Sequence, residues 1–409
     1  MKQLASIFVF IIVSSSTWGH SINKSISMWE KNGAYIQATL IFTPKEAGAV
    51  VASGSISAMT LAFLQYSKEK VILQNNGKPC ILSQTNPLPA NGDFIRLEFL
   101  FHCKNIANPK DKPLTQGEKS STDDSLSLTI NLLMDSVPFH THFVRWKTAN
   151  TLQEFIFHAS KRTHEISFSK QAPPPSYDYT LIGLKHIATG YDHIVFLTLL
   201  LLIAQGIKPT LLAITGFTLG HSFSLGLMSL GVLSVRGEAV ESLIGLTIVI
   251  AAAEVCTKGK FLQITGWILA FLLASIGLVT ISGAMKSVIP TLTYFGMAVF
   301  VFCYLHPAIA KRETSKHLLV MTLVFGFIHG FGFAGFLQEV GLPKESIVPA
   351  LFFFNLGIEI GQILLASIIA GVLLLVSKTL FQANPGQVPQ FLASVMAAAG
   401  SYWFFTRAF

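Results

Sequence analysis

The stretch GLKHIATGYDHIVFLTLLLL (183–202) decides how this chain is read. Its second half is apolar enough to sit in a lipid bilayer. Its first half carries Lys185, His186, Asp192 and His193. A charged group at the centre of a membrane span costs about 2.5–3.5 kcal/mol by insertion scales, and such groups persist where they serve a function. The stretch raises two questions: whether the chain spans a membrane, and what its polar residues do there.

Composition answers the first. The chain has 409 residues, of which 51% are hydrophobic and 12% charged. Ordinary soluble domains carry about 25% charged residues. The net charge of +8 is modest. No Lys/Arg face with interleaved aromatics stands out, so nucleic-acid binding has no support. The opening MKQLASIFVFIIVSSSTWGH (1–20) has the form of a signal peptide. Lys2 precedes an apolar core, Leu4 to Val13, too short for a span of about 20 residues. Ser16, Thr17 and Gly19 supply small residues for cleavage near Gly19. Residues 1–19 are therefore expected to be a signal peptide. An uncleaved anchor would equally export the adjoining segment.

Residues 20–168 read as an exported, β-rich domain. In DFIRLEFLFHC (93–103), Ile95, Leu97, Phe99, Phe101 and Cys103 share one face, opposite Arg96, Glu98 and His102. SLSLTINL (125–132) alternates in the same way, and AYIQATLIF, FHTHFVRW, EFIFHAS and HEISFS are further strand candidates. Turn clusters such as NNGKP and ANGD separate them. Short antiparallel strands with one wet face suggest a β-sandwich. Cys80 and Cys103 lie in this exported part, where a disulfide persists, whereas Cys256 and Cys303 fall in apolar runs and read as packing residues. His140 and His142 point to one face of a strand; the pair suits metal binding or a solvated strand face.

SKQAPPPSYDY (169–179) reads as a stiff proline-rich linker. From 180 to 409 the chain is nearly all apolar. Spans are expected at about 180–206, 210–233, 237–257, 261–284, 288–310, 317–340, 346–377 and 387–406, a polytopic bundle of seven to eight transmembrane helices. With residue 172 outside, the inner connections hold Lys208, Lys258, Lys260, Lys311, Arg312, Lys316 and Lys378. The outer ones hold Arg236, Lys286, Lys344 and Arg407. The bias follows the positive-inside rule. The first two spans and the sixth and seventh are both Gly-broken and polar, which suggests an inverted repeat.

Depth then groups the polar residues. At 1.5 Å per residue, Asp192 and His193 lie roughly 18–20 Å below the outer surface, and His221 and His329 roughly 17 Å from the inner one. Glu359 is about 13 residues in from the outer side, also near the middle of a core about 30 Å thick. On a continuous helix, His186 and His193 share a face about 10 Å apart along the axis. Asp192, projecting to one side, suits a role in orienting an imidazole. Imidazoles with one or two carboxylates make a set for Zn²⁺, Ni²⁺ or Co²⁺. His186, Asp192, His193, His221, His329 and Glu359 are the candidate metal ligands. Asn355 and Gln362 flank Glu359 and suit hydrogen bonds across helices. Glu238 and Glu241 form either an acidic vestibule or a solvated helix end.

At these residues the chain resembles the HupE/UreJ family. HIATGYDH, GHSFSL, HGFGFA and FNLGIEIGQ carry the resemblance, over roughly 180–405. It implies a membrane protein linked to hydrogenase and urease maturation and regarded as a nickel permease, in the subgroup with an exported β-rich domain. His186, Asp192, His193 and His221 are then the implied metal-contacting positions. Five residues separate His186 from Asp192, where the wider nickel/cobalt permeases have four, and their acidic, threonine-rich third motif is missing.

Three functions fit. The first is a permease for divalent transition-metal cations, nickel above all or else cobalt or zinc, in the bacterial inner membrane with its β-domain in the periplasm or cell exterior. The second is an intramembrane hydrolase holding Zn²⁺ on its histidines, although no HExxH or GxSxG motif is present. The third is a sensor or assembly factor. The expected partners are the cation, the lipid bilayer and metalloenzyme maturation proteins.

Overall fold

Alternating apolar residues build several strands of the N-terminal part. The computed structural model describes residues 24–52, 54–89, 94–103, 126–137, 140–147, 152–166, 176–204, 206–233, 235–305, 315–340, 344–380 and 387–409, with backbone alone at 315–317, 333–340, 344–346 and 376–380. These residues fall into two compact units that meet in sequence at Asp178 and Tyr179. The expected signal peptide lies outside the described residues, as does the expected linker up to residue 175. From Ser176 onward that linker is already helical.

The first unit is a two-sheet sandwich. A six-stranded sheet has the order β5-β6-β2-β1-β8-β9, from β1 (Lys24–Asn32), β2 (Tyr35–Phe42), β5 (Ile81–Leu88), β6 (Ile95–His102), β8 (Thr141–Lys147) and β9 (Leu152–His158). A four-stranded sheet has the order β10-β7-β3-β4, from β3 (Val71–Asn75), β4 (Lys78–Pro79), β7 (Leu126–Ile130) and β10 (Thr163–Ile166). In β6 the buried residues are Ile95, Leu97, Phe99 and Phe101, and in β7 they are Leu126, Leu128 and Ile130. Both sets enter one core with Trp29, Leu40, Phe63, Leu73 and Trp146. NNGKP closes a hairpin at Asn76 (φ 49°) and Gly77 (φ 73°). Positive φ at both central residues twists with the strands, which is why Asn-Gly is favoured there. Cys80 and Cys103 are joined by a disulfide across the β5–β6 pair.

The all-antiparallel expectation fails at one place: β1 and β8 run parallel, pairing Ser25 with His142 and Ser27 with Val144. Parallel neighbours need a long crossover, and here most of the domain lies between them. Periodicity gives a strand's faces and says nothing of its neighbour's direction. Two helices escaped the sequence reading, α1 (Pro44–Gly48) and α2 (Ile56–Lys68). A capping box starts α1. Thr43 Oγ1 accepts from the Glu46 amide at 3.3 Å, and Glu46 Oε2 accepts from the Thr43 amide at 2.9 Å.

The second unit is helical: α3 (Ser176–Thr189), α4 (Tyr191–Ala204), α5 (Ile207–Ser229), α6 (Gly237–Cys256), α7 (Lys260–Ile281), α8 (Thr291–Tyr304), α9 (Ser315–Val340), α10 (Lys344–Leu380) and α11 (Gln387–Ala408). Among the described residues, four helices are long and apolar enough to cross a membrane: Ile207–Ser229, Gly237–Cys256, Lys260–Ile281 and Ile347–Leu375. The bent pair α3–α4 makes a fifth if counted as one span. Phe261, Phe271, Val348 and Ile368 are exposed on α7 and α10, as suits side chains facing acyl tails. The chain is a membrane protein with a β-sheet region before its helical part.

Small residues bring the helices together. A Cβ on Gly220 would strike the Leu323 carbonyl, and one on Gly326 would strike that of Phe217, so α5 and α9 touch backbone to backbone. Gly183 meets the Phe354 carbonyl and Gly357 that of Thr180, which does the same for α3 and α10. Such crossings are the way helices associate where no hydrophobic force separates them from lipid. A two-fold relating the first two spans to the sixth and seventh would exchange these two crossings.

Candidate metal centre

The site begins at a break. The span expected as one helix over 180–206 is two, α3 and α4, bent by 74° at Gly190. The Gly190 amide still donates to the His186 carbonyl at 3.0 Å, and the Gly190 carbonyl accepts from Ile194 at 3.0 Å, so one residue closes one helix and opens the next. Glycine is required by space. A Cβ here would stand 2.6 Å from His193 Nδ1 and 3.3 Å from Asp192 Oδ1. The bend corrects the expected spacing. His186 and His193 do not lie about 10 Å apart along an axis; their ring centroids are 4.7 Å apart.

Asp192 sits in the first turn of α4, where the helix dipole favours a carboxylate. Its Oδ1 accepts from the His193 amide at 2.8 Å and lies 3.0 Å from His193 Nδ1. From α5, His221 places its ring 5.9 Å from that of His186. From α9, His329 places its ring 5.5 Å from that of His193. All four histidines and Asp192 are buried. Among the described residues, two groups can hold an ion: His186, His193 and His221, and Asp192, His193 and His329, each offering one ligand atom per residue within 4.8 Å of the others. Zn–N bonds of about 2.0–2.1 Å put tetrahedral ligand atoms about 3.4 Å apart, so small side-chain rotations close each group on an ion.

Directional hydrogen bonds set the tautomers. Asp192 Oδ1 can only accept, so His193 Nδ1 carries the proton and Nε2 the lone pair. The Asn355 amide on α10 donates to the Leu351 carbonyl at 2.8 Å, which turns its oxygen toward His221 Nδ1 at 3.3 Å. His221 therefore also presents Nε2. Thr247 on α6 donates its hydroxyl proton to the Ile244 carbonyl at 2.7 Å and so accepts from His329 Nε2 at 3.0 Å. His329 presents Nδ1. Outer partners of this kind orient metal-binding imidazoles and raise their basicity.

Glu359 enters neither group. Asn355, one turn earlier on α10, faces His221, while Glu359 accepts from Thr215 on α5 at 2.8 Å. Gln362 accepts from Thr218 at 3.0 Å, so Asn355, Glu359 and Gln362 form three polar rungs between α5 and α10. Thr247 was missed: a threonine in an apolar run gives no signal until His329 is seen beside it. Glu241 pairs with Arg407 at 2.7 Å and Glu238 lies 4.0 Å from Arg236, so these acids are met by cations.

His140 and His142 lie in neither group, and they are not solvent-facing. Both are buried, because His142 shares the core face of β8 with Val144 and Trp146. Ser25 Oγ lies 2.8 Å from His140 Nε2 and 2.6 Å from His142 Nδ1. Ser27 Oγ lies 2.8 Å from His142 Nε2 and accepts from Trp29 Nε1 at 2.7 Å. Glu46 Oε1 stands 4.0 Å from His140 Nδ1.

A family model described as HupE / UreJ protein matches residues 162–287 and 295–407, more than half of the chain and at least part of every helix of the second unit. No curated protein matches the chain. The matched stretches contain every residue of both histidine groups, and on that match the chain belongs to the HupE / UreJ family.

Proposed function

We propose that the chain is a permease for divalent transition-metal cations, nickel first and cobalt or zinc as alternatives. The observation that carries this is the pair of buried ligand groups meeting at His193 inside a bundle of apolar helices. Neutral imidazoles with one carboxylate suit borderline divalent metals. Three ligands per group hold an ion without closing its coordination shell, which lets it leave again. In this reading seven to eight segments cross the bacterial inner membrane. The signal peptide (1–19) exports the β-domain (20–168) to the periplasm, and the linker (169–179) joins it to the spans. Metalloenzyme maturation proteins are the consumers of the cation.

Uptake of Ni²⁺, Co²⁺ and Zn²⁺ into proteoliposomes tests the reading. Wild-type protein is expected to move at least one of them, and His193→Ala none. Failure of the wild type to move any of the three overturns it.

The open coordination position also favours a second reading, a zinc hydrolase of the membrane interior, since catalytic zinc keeps such a position for water. Lability separates the two. A catalytic ion stays with the protein through purification at one per chain, whereas a transported ion exchanges with a chelator.

A further inference from the structure

The ligand groups are two, yet they share a residue. His186, His193 and His221 form one; Asp192, His193 and His329 form the other. A neutral imidazole has a single lone pair to give. His193 therefore serves one group at a time. We infer that the two groups are alternative stations for one cation, with His193 as the ligand that stays bound while the others are exchanged. This inference rests on the cation reading above.

The stations differ in chemistry. The first is three neutral imidazoles, so a divalent ion keeps its full charge there. The second contains the Asp192 carboxylate, which offsets one charge in a medium where that matters far more than in water. Their surroundings differ too. The first draws on α3, α4 and α5, with His221 oriented from α10 by Asn355. The second draws on α4 and α9, with His329 oriented from α6 by Thr247. An ion moving from one to the other gives up His186 and His221 and gains Asp192 and His329. It never loses all its ligands together, which avoids a bare cation in an apolar interior. Two ions at once would need a second lone pair on His193 and would repel strongly across so short a distance.

Co²⁺ is the probe, since its absorption spectrum reports the ligand set and its titration the stoichiometry. Purified full-length wild type is expected to bind one Co²⁺ per chain. His329→Gln removes the second station only, and His186→Gln the first only. Each is expected to retain one Co²⁺ per chain, with spectra that differ from one another, while His193→Ala loses binding altogether. Transport in liposomes is expected to fall at least tenfold in both single-station variants although binding persists. Thr247→Val, which keeps His329 and removes only its orienting hydroxyl, is expected to shift the spectrum toward that of His329→Gln, and it covers the case in which the glutamine variant fails to fold. Two Co²⁺ per wild-type chain overturn the inference. So does loss of all binding in His186→Gln, or a spectrum unchanged in both His329→Gln and Thr247→Val. If wild type binds Co²⁺ but moves no metal, the permease reading fails while the binding results still decide between one station and two.

Discussion

This protein buries two clusters of histidines, and they are built in opposite ways. In the membrane unit, each of His193, His221 and His329 gives one ring nitrogen to a group acting as acceptor: Asp192, Asn355 and Thr247. The same rings belong to the two groups, whose ligand atoms lie within 4.8 Å of one another. In the β-domain the nitrogens of His142 meet Ser25 and Ser27, and His140 meets Ser25. A serine hydroxyl both donates and accepts. The chain can thus run in one sense, from Trp29 through Ser27, His142, Ser25 and His140 toward Glu46, and use the lone pair of each histidine it passes. Burial and short spacing are common to both clusters. What separates a candidate metal centre from a polar core is the nature of each histidine's second partner.

The sharpest test of that contrast swaps the damage. His193→Ala is expected to abolish cation binding and leave β-domain unfolding unchanged. His142→Ala is expected to leave the cation stoichiometry intact and destabilise the β-domain by about 1–3 kcal/mol for each hydrogen-bonding group left buried without its partner. Calorimetric titration and thermal unfolding of the full chain read the two effects. If His142→Ala changed the metal stoichiometry, the contrast would collapse.

The polar core also has an electrostatic signature. Burial pushes the Glu46 carboxyl up to about 7, against the pull of Thr43 and Lys24. Burial holds His142 well below its usual range, with His140 adding to the effect, and holds Lys24 well below its own range despite Glu46. The charged and titratable groups facing Glu46 are thus Lys24 and His140, with His142 beyond. A carboxyl raised in the folded state stabilises the fold at low pH, and that contribution is lost as pH rises from 4.5 through about 7. His142 works the other way, losing its contribution as pH falls below 6.5. The stability of wild type relative to Glu46→Gln is therefore expected to fall by about 3 kcal/mol between those limits for Glu46. Thermal unfolding across that pH range measures it; a gap between the two proteins that does not change with pH contradicts the assignment.

Smaller effects sharpen the membrane side. Asn355→Leu keeps all ligands and removes only the acceptor that orients His221, and it is expected to weaken the first station about 10–100-fold and shift the Co²⁺ spectrum toward that of His186→Gln. Glu359→Gln should leave equilibrium binding as it is, because Glu359 faces Thr215 and neither ligand group. A marked loss in Glu359→Gln would return this residue to the ligand shell, where its depth first placed it. Titration with Co²⁺ separates the two outcomes.

Much was legible without coordinates. The fall in polarity from residue 180 onward was legible because hydropathy depends only on local composition; the two compact units meet at Asp178 and Tyr179. Alternation gave β6 and β7 their buried faces, because a strand's side chains alternate whatever it pairs with. His186, Asp192, His193, His221 and His329 stood out because ionisable groups are rare at membrane depth.

The rest depended on contacts between residues far apart in sequence. Nothing local says that Gly190 bends a span by 74°, that His329 reaches a residue 136 positions earlier, or that Asn355 rather than Glu359 faces His221. Nor could the spacing of His140 and His142 reveal that β8 lies beside β1 and meets its serines. Periodicity and hydropathy are properties of a segment. The direction of a hydrogen bond belongs to a pair, and here it decides which nitrogen of His193, His221 and His329 meets Asp192, Asn355 and Thr247. Sequence alone therefore named the residues, and only the tertiary structure decided their partners.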